Sequence, residues 1–222
     1  QNISDLTGIE DFSSLVQLIC RNNSLTTLNI SQNTSLENLY CQFNQISNLN
    51  TTQNIHLKKL YAYSNSINGL DLSQNIQLTH LVVSSNQLTT LDVTQNVNLL
   101  TLEFHSNQIS TINLTQNILI TSLKTGFNSL TSLNLSNNVN LQIAQIENNQ
   151  ISTLNLTPNN SLVTFICNNN FLSSLDFSLF ASFQYLNCNS NFLTSLNVKN
   201  GNNTNFTSFN ALYNPDLTCI EV

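Results

Sequence analysis

The chain has 222 residues, 7% of them charged, against roughly 25% in an ordinary soluble protein. Its net charge is −6, with only five Lys plus Arg, which excludes the basic footprint of a nucleic-acid binder. No stretch approaches the roughly 18 consecutive apolar residues of a membrane helix, and the 42 Asn residues are accompanied by Leu and Ile too evenly spaced for a disordered tract.

Residues 1–14 precede the first regular unit and are expected to cap one end of the structure, since an open sheet edge invites aggregation. Residues 15–205 repeat with a period of 21. Leu15, Leu36, Leu57, Leu78, Leu99, Ile120, Leu141, Leu162 and Phe183 open the nine units. The ninth position is Asn in every unit, from Asn23 to Asn191, and the fifteenth is always Asn or Asp. The nineteenth is Asn in seven of nine, failing at Phe180 and Gly201. Thr51 and Thr125 are polar where other units are apolar. A two-residue insertion within residues 201–205 precedes a partial tenth unit, and residues 206–222 are expected to close the other end.

Each unit holds the pattern L-x-x-L-x-L-x-x-N twice, as in Leu78-x-x-Leu81-x-Val83-x-x-Asn86 and Leu88-x-x-Leu91-x-Val93-x-x-Asn96. Alternation over each L-x-L core predicts a short strand. The following Asn is expected to turn the chain, because it tolerates left-handed backbone and its amide bonds main chain. Two strands and two turns make one flat coil. Coils stacked at about 4.8 Å give two parallel sheets around one apolar core. The fold class is therefore a mainly-β repeat solenoid of about ten coils.

These residues resemble the leucine-rich-repeat signature, and the nested 21-residue form is similar to the IRREKO class of bacterial leucine-rich repeats. The resemblance covers residues 15–214. It implies a right-handed leucine-rich-repeat coil. Ile3, Leu6, Gly8, Ile9 and Phe12 are similar to the N-terminal lead-in of that class, and residues 214–220 to its last turn. It also implies a secreted or cell-surface protein that binds protein or glycan and does no chemistry. Such arrays often stand ahead of a C-terminal sorting domain, so the chain is expected to be a fragment, with its start at Gln1 reflecting processing or trimming.

The two outward faces differ. On the second-strand face 25 of 27 residues are Ser, Thr, Asn or Asp, with Gly69 and Lys199 the exceptions. On the first-strand face only eight of 27 are of those types. That face gathers three of the five basic residues and four of the five Tyr. A solvent face needs no such diversity, whereas a recognition surface uses it. The ligand-binding candidates are Arg21, Tyr40, Tyr61, Tyr63, His80, Glu103, His105 and Lys124. Tyr40 and Tyr61 are expected to stack on adjacent rungs with Tyr63 beside them, and Glu103 to pair with Lys124. Gly126, between His105 and Glu147 in its row, leaves a notch.

No catalytic constellation emerges. His80, Glu103 and His105 are too widely spread on a flat sheet to converge about 2 Å from one metal ion. Four scattered glycines cannot build a phosphate loop, and no His-Asp pair is placed to activate a Ser. Neither cofactor nor metal is expected, and the chain reads as a monomer. Cys20, Cys41, Cys167 and Cys188 share the inward sixth position and are expected to be buried free thiols, with Cys219 outside the ladder. Two other functions are compatible with the array. One is a structural stalk within a larger surface protein. The other is ice binding through the regular Thr/Ser/Asn face, which competes with a plainer role for those side chains in turns and solubility.

Overall fold

The computed structural model describes residues 2–222. It divides into two compact units, the first ending at Ile109 and the second beginning at Ser110.

In the first unit five three-residue strands follow one another: β1 (Gln17–Ile19), β2 (Asn38–Tyr40), β3 (Lys59–Tyr61), β4 (His80–Val82) and β5 (Thr101–Glu103). They pair in parallel and in chain order, Leu18 to Leu39 to Leu60 to Leu81 to Leu102. The sequence period thus becomes the register. Each central Leu is buried, as are Cys20, Cys41, Ala62, Val83 and Phe104 two residues on. Fully burying such a Leu stabilises by about 1.5–3 kcal/mol, so a slip that turned this row outward would forfeit the core.

The second unit continues the pattern with β6 (Ser122–Lys124), β7 (Ile143–Gln145), β8 (Thr164–Ile166), β9 (Ser174–Asp176), β10 (Tyr185–Asn187), β11 (Ser195–Asn197), β12 (Ser208–Asn210) and β13 (Ile220–Glu221). Its first sheet runs β6-β7-β8-β10-β12 and its second β13-β11-β9, both parallel. Leu186 pairs with Phe209, so the step there is longer than elsewhere by the two inserted residues. A short 3-10 turn at Asn203–Asn205 absorbs them.

Both halves of the repeat therefore form parallel sheets, but unequally. In the first unit the second half shows only the isolated bridge between Thr27 and Asn48. The reason lies in the fifteenth position. Its side chain accepts the backbone N–H two residues on, as Asn50 does from Thr52 at 3.0 Å and Asp92 from Thr94 at 2.9 Å. That local turn uses a donor a neighbouring strand would otherwise receive.

Two Asn ladders hold the coils together. At the ninth position Asn44 Nδ2 donates to the carbonyls of Cys41 and Cys20, both at 3.0 Å, while its Oδ1 accepts from Leu25 N at 3.0 Å. Asn65 and Asn86 repeat the arrangement, and Asn149, Asn170 and Asn191 do so in the second unit. At the nineteenth position Asn54 Nδ2 donates to Ile30 O and Asn33 O, at 3.0 and 2.8 Å. In the second unit Phe180 takes that place and packs with Phe177 and Phe183, whose rings stack at 4.5 Å. An aromatic cluster replaces the missing amide there.

One expectation is corrected. The ninth-position Asn does not adopt the left-handed backbone. The residue before it does: Phe43, Ser64, Ser85, Asn148 and Ser190 all have φ between 53 and 57. The Asn amide bridges the coils, and its neighbour, whatever its type, makes the turn. All five cysteines are free thiols, four of them buried.

Candidate ligand-binding face

The outward residues of β1–β5 and the turns after them form one face of the first unit. Register places Tyr40, Tyr61, Val82 and Glu103 in one row. Tyr40 and Tyr61 stack with ring centroids 5.2 Å apart and planes inclined by 21°. Tyr63 turns elsewhere. Its ring meets Phe43 edge-on at 5.0 Å and 79°. Phe43 is half exposed and sits on the left-handed turn.

A shallow groove of about 730 Å³ opens on this face. Seven of the eight candidates line it: Arg21, Tyr40, Tyr61, Tyr63, His80, Glu103 and His105. Lys124 lies on β6 in the second unit. The sequence reading missed Gln42 and Ser84, which also line the groove. Gln42 is 3% exposed and Ser84 1%, and neither Gln42 Oε1 nor Ser84 Oγ finds a hydrogen-bond partner within the protein. Both occupy the seventh position, in the row with Arg21, Tyr63 and His105. The available signal was that row itself, and the weight given to aromatic and charged residues passed over the amide and the hydroxyl between them.

Burial, with the neighbouring Lys59 charge, holds His80 below the ordinary histidine range. Its imidazole is therefore neutral at physiological pH, with Nδ1 hydrogen-bonded to Thr79 Oγ1 at 2.9 Å. His105 Nδ1 meets Ser106 Oγ at 3.2 Å. Burial first, then Tyr40, Glu103 and Tyr63, push the Tyr61 phenol up, so it stays protonated and can donate. The groove thus offers neutral hydrogen-bonding groups and rings, with one cation at Arg21 and one carboxylate at Glu103. Among the described residues no three His, Cys, Asp or Glu side chains are grouped to hold a metal ion, and no helix is long and apolar enough to cross a membrane. A second concavity, of about 420 Å³, lies on the Ser/Thr face of the second unit and has no aromatic or charged lining.

No family model matches the sequence, nor does any curated protein. Solved structures do match. The functional domain of InlJ from Listeria monocytogenes, described as including a cysteine ladder, is 31% identical over 100% of this chain and 54% of its own, with a TM-score of 0.82. The chain is a leucine-rich-repeat protein. A leucine-rich-repeat protein of Leptospira interrogans is 25% identical over 92% of this chain and 56% of its own, with a TM-score of 0.83. YopM from Yersinia enterocolitica, at 21% identity, 94% coverage of this chain, 55% of its own and a TM-score of 0.65, shares the fold. This leucine-rich-repeat chain therefore resembles bacterial proteins of its kind, and spans about half the length of each of these three.

Proposed function

We propose that this leucine-rich-repeat array is the binding module of a secreted or cell-surface protein, acts as a monomer without catalysis, and recognises protein or glycan through the first-strand face. The observation that carries this reading is the convergence of seven chosen residues, drawn from five coils, on one groove. Concentrated Tyr, His and Arg with few aliphatic neighbours is the composition of a recognition surface. Lys124 extends the candidate surface onto the second unit. Residues 2–14 and 206–222 act as the caps: Asn33 Nδ2 bonds Ile9 O at 2.8 Å and Phe12 O at 3.0 Å, and β13 pairs with β11.

The test is a capture screen of the whole chain against host-cell surface proteins and glycans. Replacing Tyr40, Tyr61 and Tyr63 together by Ala should abolish binding to whatever is captured, with the circular-dichroism spectrum unchanged. Unaltered affinity would remove the aromatic groove from the account. Ice binding through the other face draws no support from its hydrogen bonds. Hydroxyls there are engaged in their own turns, as Thr94 Oγ1 and Thr115 Oγ1 are with Asp92 and Asn113 at 2.7 Å.

A further inference from the structure

Every carbonyl and amide of the ninth-position ladder is matched within the protein, yet the groove floor is not. Gln42 Oε1 and Ser84 Oγ are withdrawn from solvent and unpartnered, and both border the one concavity lined by Tyr, His and Arg. Leaving such atoms unmatched costs stability, about 1–3 kcal/mol for a buried polar group, so their placement favours an occupant that supplies partners. Gln42 Oε1 can only accept, so it requires a donor. Ser84 Oγ can do either.

Resting on the reading of this face as the binding surface, we infer that the groove takes a neutral oligosaccharide whose hydroxyl groups reach Gln42 and Ser84. Three properties of the lining select that class. A flat protein surface does not reach buried atoms on a groove floor, whereas a chain of sugar rings lying in the groove does. Sugar hydroxyls both donate and accept, which matches an acceptor-only amide oxygen beside a hydroxyl. Arg21 and Glu103 offset each other and His80 is neutral, so the groove gives neither an acidic nor a basic ligand an advantage. The Tyr61 phenol, kept protonated, adds a donor at the rim. Gln42 and Ser84 stand two coils apart, roughly 9.6 Å at one strand spacing of 4.8 Å per coil. A single ring cannot bridge both, so two or more linked rings are required.

The experiment is an array of immobilised neutral oligosaccharides probed with the whole chain, followed by titration of the best-bound oligosaccharide and of its constituent monosaccharide. Ser84→Ala removes a hydroxyl that has no partner in the protein, so its melting temperature should match or exceed that of the natural chain. Its affinity for the oligosaccharide should fall about tenfold, the worth of one hydrogen bond. Gln42→Leu should weaken binding by a similar factor, and Thr111→Ala on the other face should leave it unchanged. The monosaccharide should bind at least tenfold more weakly than the oligosaccharide. An array with no bound neutral glycan overturns the inference, as does an oligosaccharide whose affinity Ser84→Ala leaves intact. If a captured protein loses affinity with the triple Tyr variant and not with Ser84→Ala, the face is a protein-binding surface and the oligosaccharide assignment alone is wrong.

Discussion

The carboxyl group of Glu147 occupies the space that Gly126 leaves: a Cβ on Gly126 would stand 2.6 Å from both Cδ and Oε1 of Glu147. The notch expected from the sequence is therefore filled, from the next coil, by an acid. Glu147 Oε2 is buried without a hydrogen-bond partner, and burial raises its pKa above the ordinary 4.5 despite the opposing charge of Lys124.

Gly126→Ala should expel this carboxyl group at little cost, because the displaced atoms are the end of a flexible side chain. Stability should change by less than about 1 kcal/mol, within the range of substitutions that break no packing. The Glu147 pKa should fall back toward 4.5, followed by carbon-detected NMR titration of its carboxyl group. A pKa that stays raised in the variant would show that burial at Gly126 is not its cause.

Acid should first stabilise the protein and then destabilise it. A raised folded-state pKa means that the Glu147 contribution is fully present below 4.5 and lost as pH rises through the folded value. Asp5, Asp71 and Asp92 have the opposite sense. Hydrogen bonds from Thr7, Ser73 and Thr94 hold them below 3.8, so their contribution is present above that value and lost as pH falls through the lowered ones. Melting temperature should rise from neutral pH toward about pH 4 and fall below it. Glu147→Gln should abolish the rise while leaving the fall, and a rise that survives in that variant would assign it to another group.

Thr51 breaks the apolar pattern for a reason visible only in three dimensions. Its Oγ1 donates to Asn75 Oδ1 at 2.8 Å, and both residues are wholly buried. Asn54, Asn138 and Asn159 have no such donor for Oδ1. Thr51→Val should cost about 1–3 kcal/mol by leaving Asn75 Oδ1 unmatched. Ile30, placed relative to Asn54 as Thr51 is to Asn75, gives the converse test. Ile30→Thr should be better tolerated in urea denaturation than Ile46→Thr, which gains no such partner. Equal losses at the two sites would remove the hydroxyl–amide pairing as the explanation.

The coil register, the inward Leu row and the stacked Tyr40–Tyr61 pair were all legible in the sequence, because a 21-residue period fixes which side chains share a row. The period carries no information about rotamers. Tyr63 was expected beside Tyr61 and instead packs on Phe43, since the left-handed turn carries that ring within its reach. The buried floor at Gln42 and Ser84 was illegible for a similar reason. Their depth depends on how neighbouring side chains fold over them, and identity alone gives no sign of it. Phe180 shows the reverse case: the broken Asn ladder was plain, but not the aromatic cluster that replaces it.

Only Cys219 should react rapidly with a maleimide at pH 8 in the folded protein. Burial pushes Cys20 up to about 11, Cys188 up to about 12, and Cys41 and Cys167 well above the ordinary thiol range, so thiolate is scarce and access is closed at all four. Mass spectrometry should show one adduct without denaturant and five with it. Two or more adducts on the native protein would mean that coils open locally on the labelling timescale.

Phe127 should be among the easiest positions at which to stabilise the array. It holds φ 56 with an exposed ring, while Asn148 and Asn169 fill the same place in the next two coils at φ 54. A left-handed conformation costs an ordinary L-residue about 1–2 kcal/mol, and Asn bears less of that cost through local hydrogen bonding. An exposed ring gives little burial in return, so Phe127→Asn should gain up to about 1 kcal/mol in urea denaturation, with the slope of the transition unchanged. Phe43 has the same backbone but packs on Tyr63. Phe43→Asn relieves the same strain and loses an edge-to-face pair worth about 0.5–1.5 kcal/mol, so its net effect should be near zero or negative. The difference between the two variants measures the Phe43–Tyr63 contact in the free protein. If Phe127→Asn is no more stable than the natural chain, the left-handed turn is not strained in this fold, and the tolerance for Phe, Ser and Tyr at that position has its source in the hydrogen bond each turn N–H donates to the next coil.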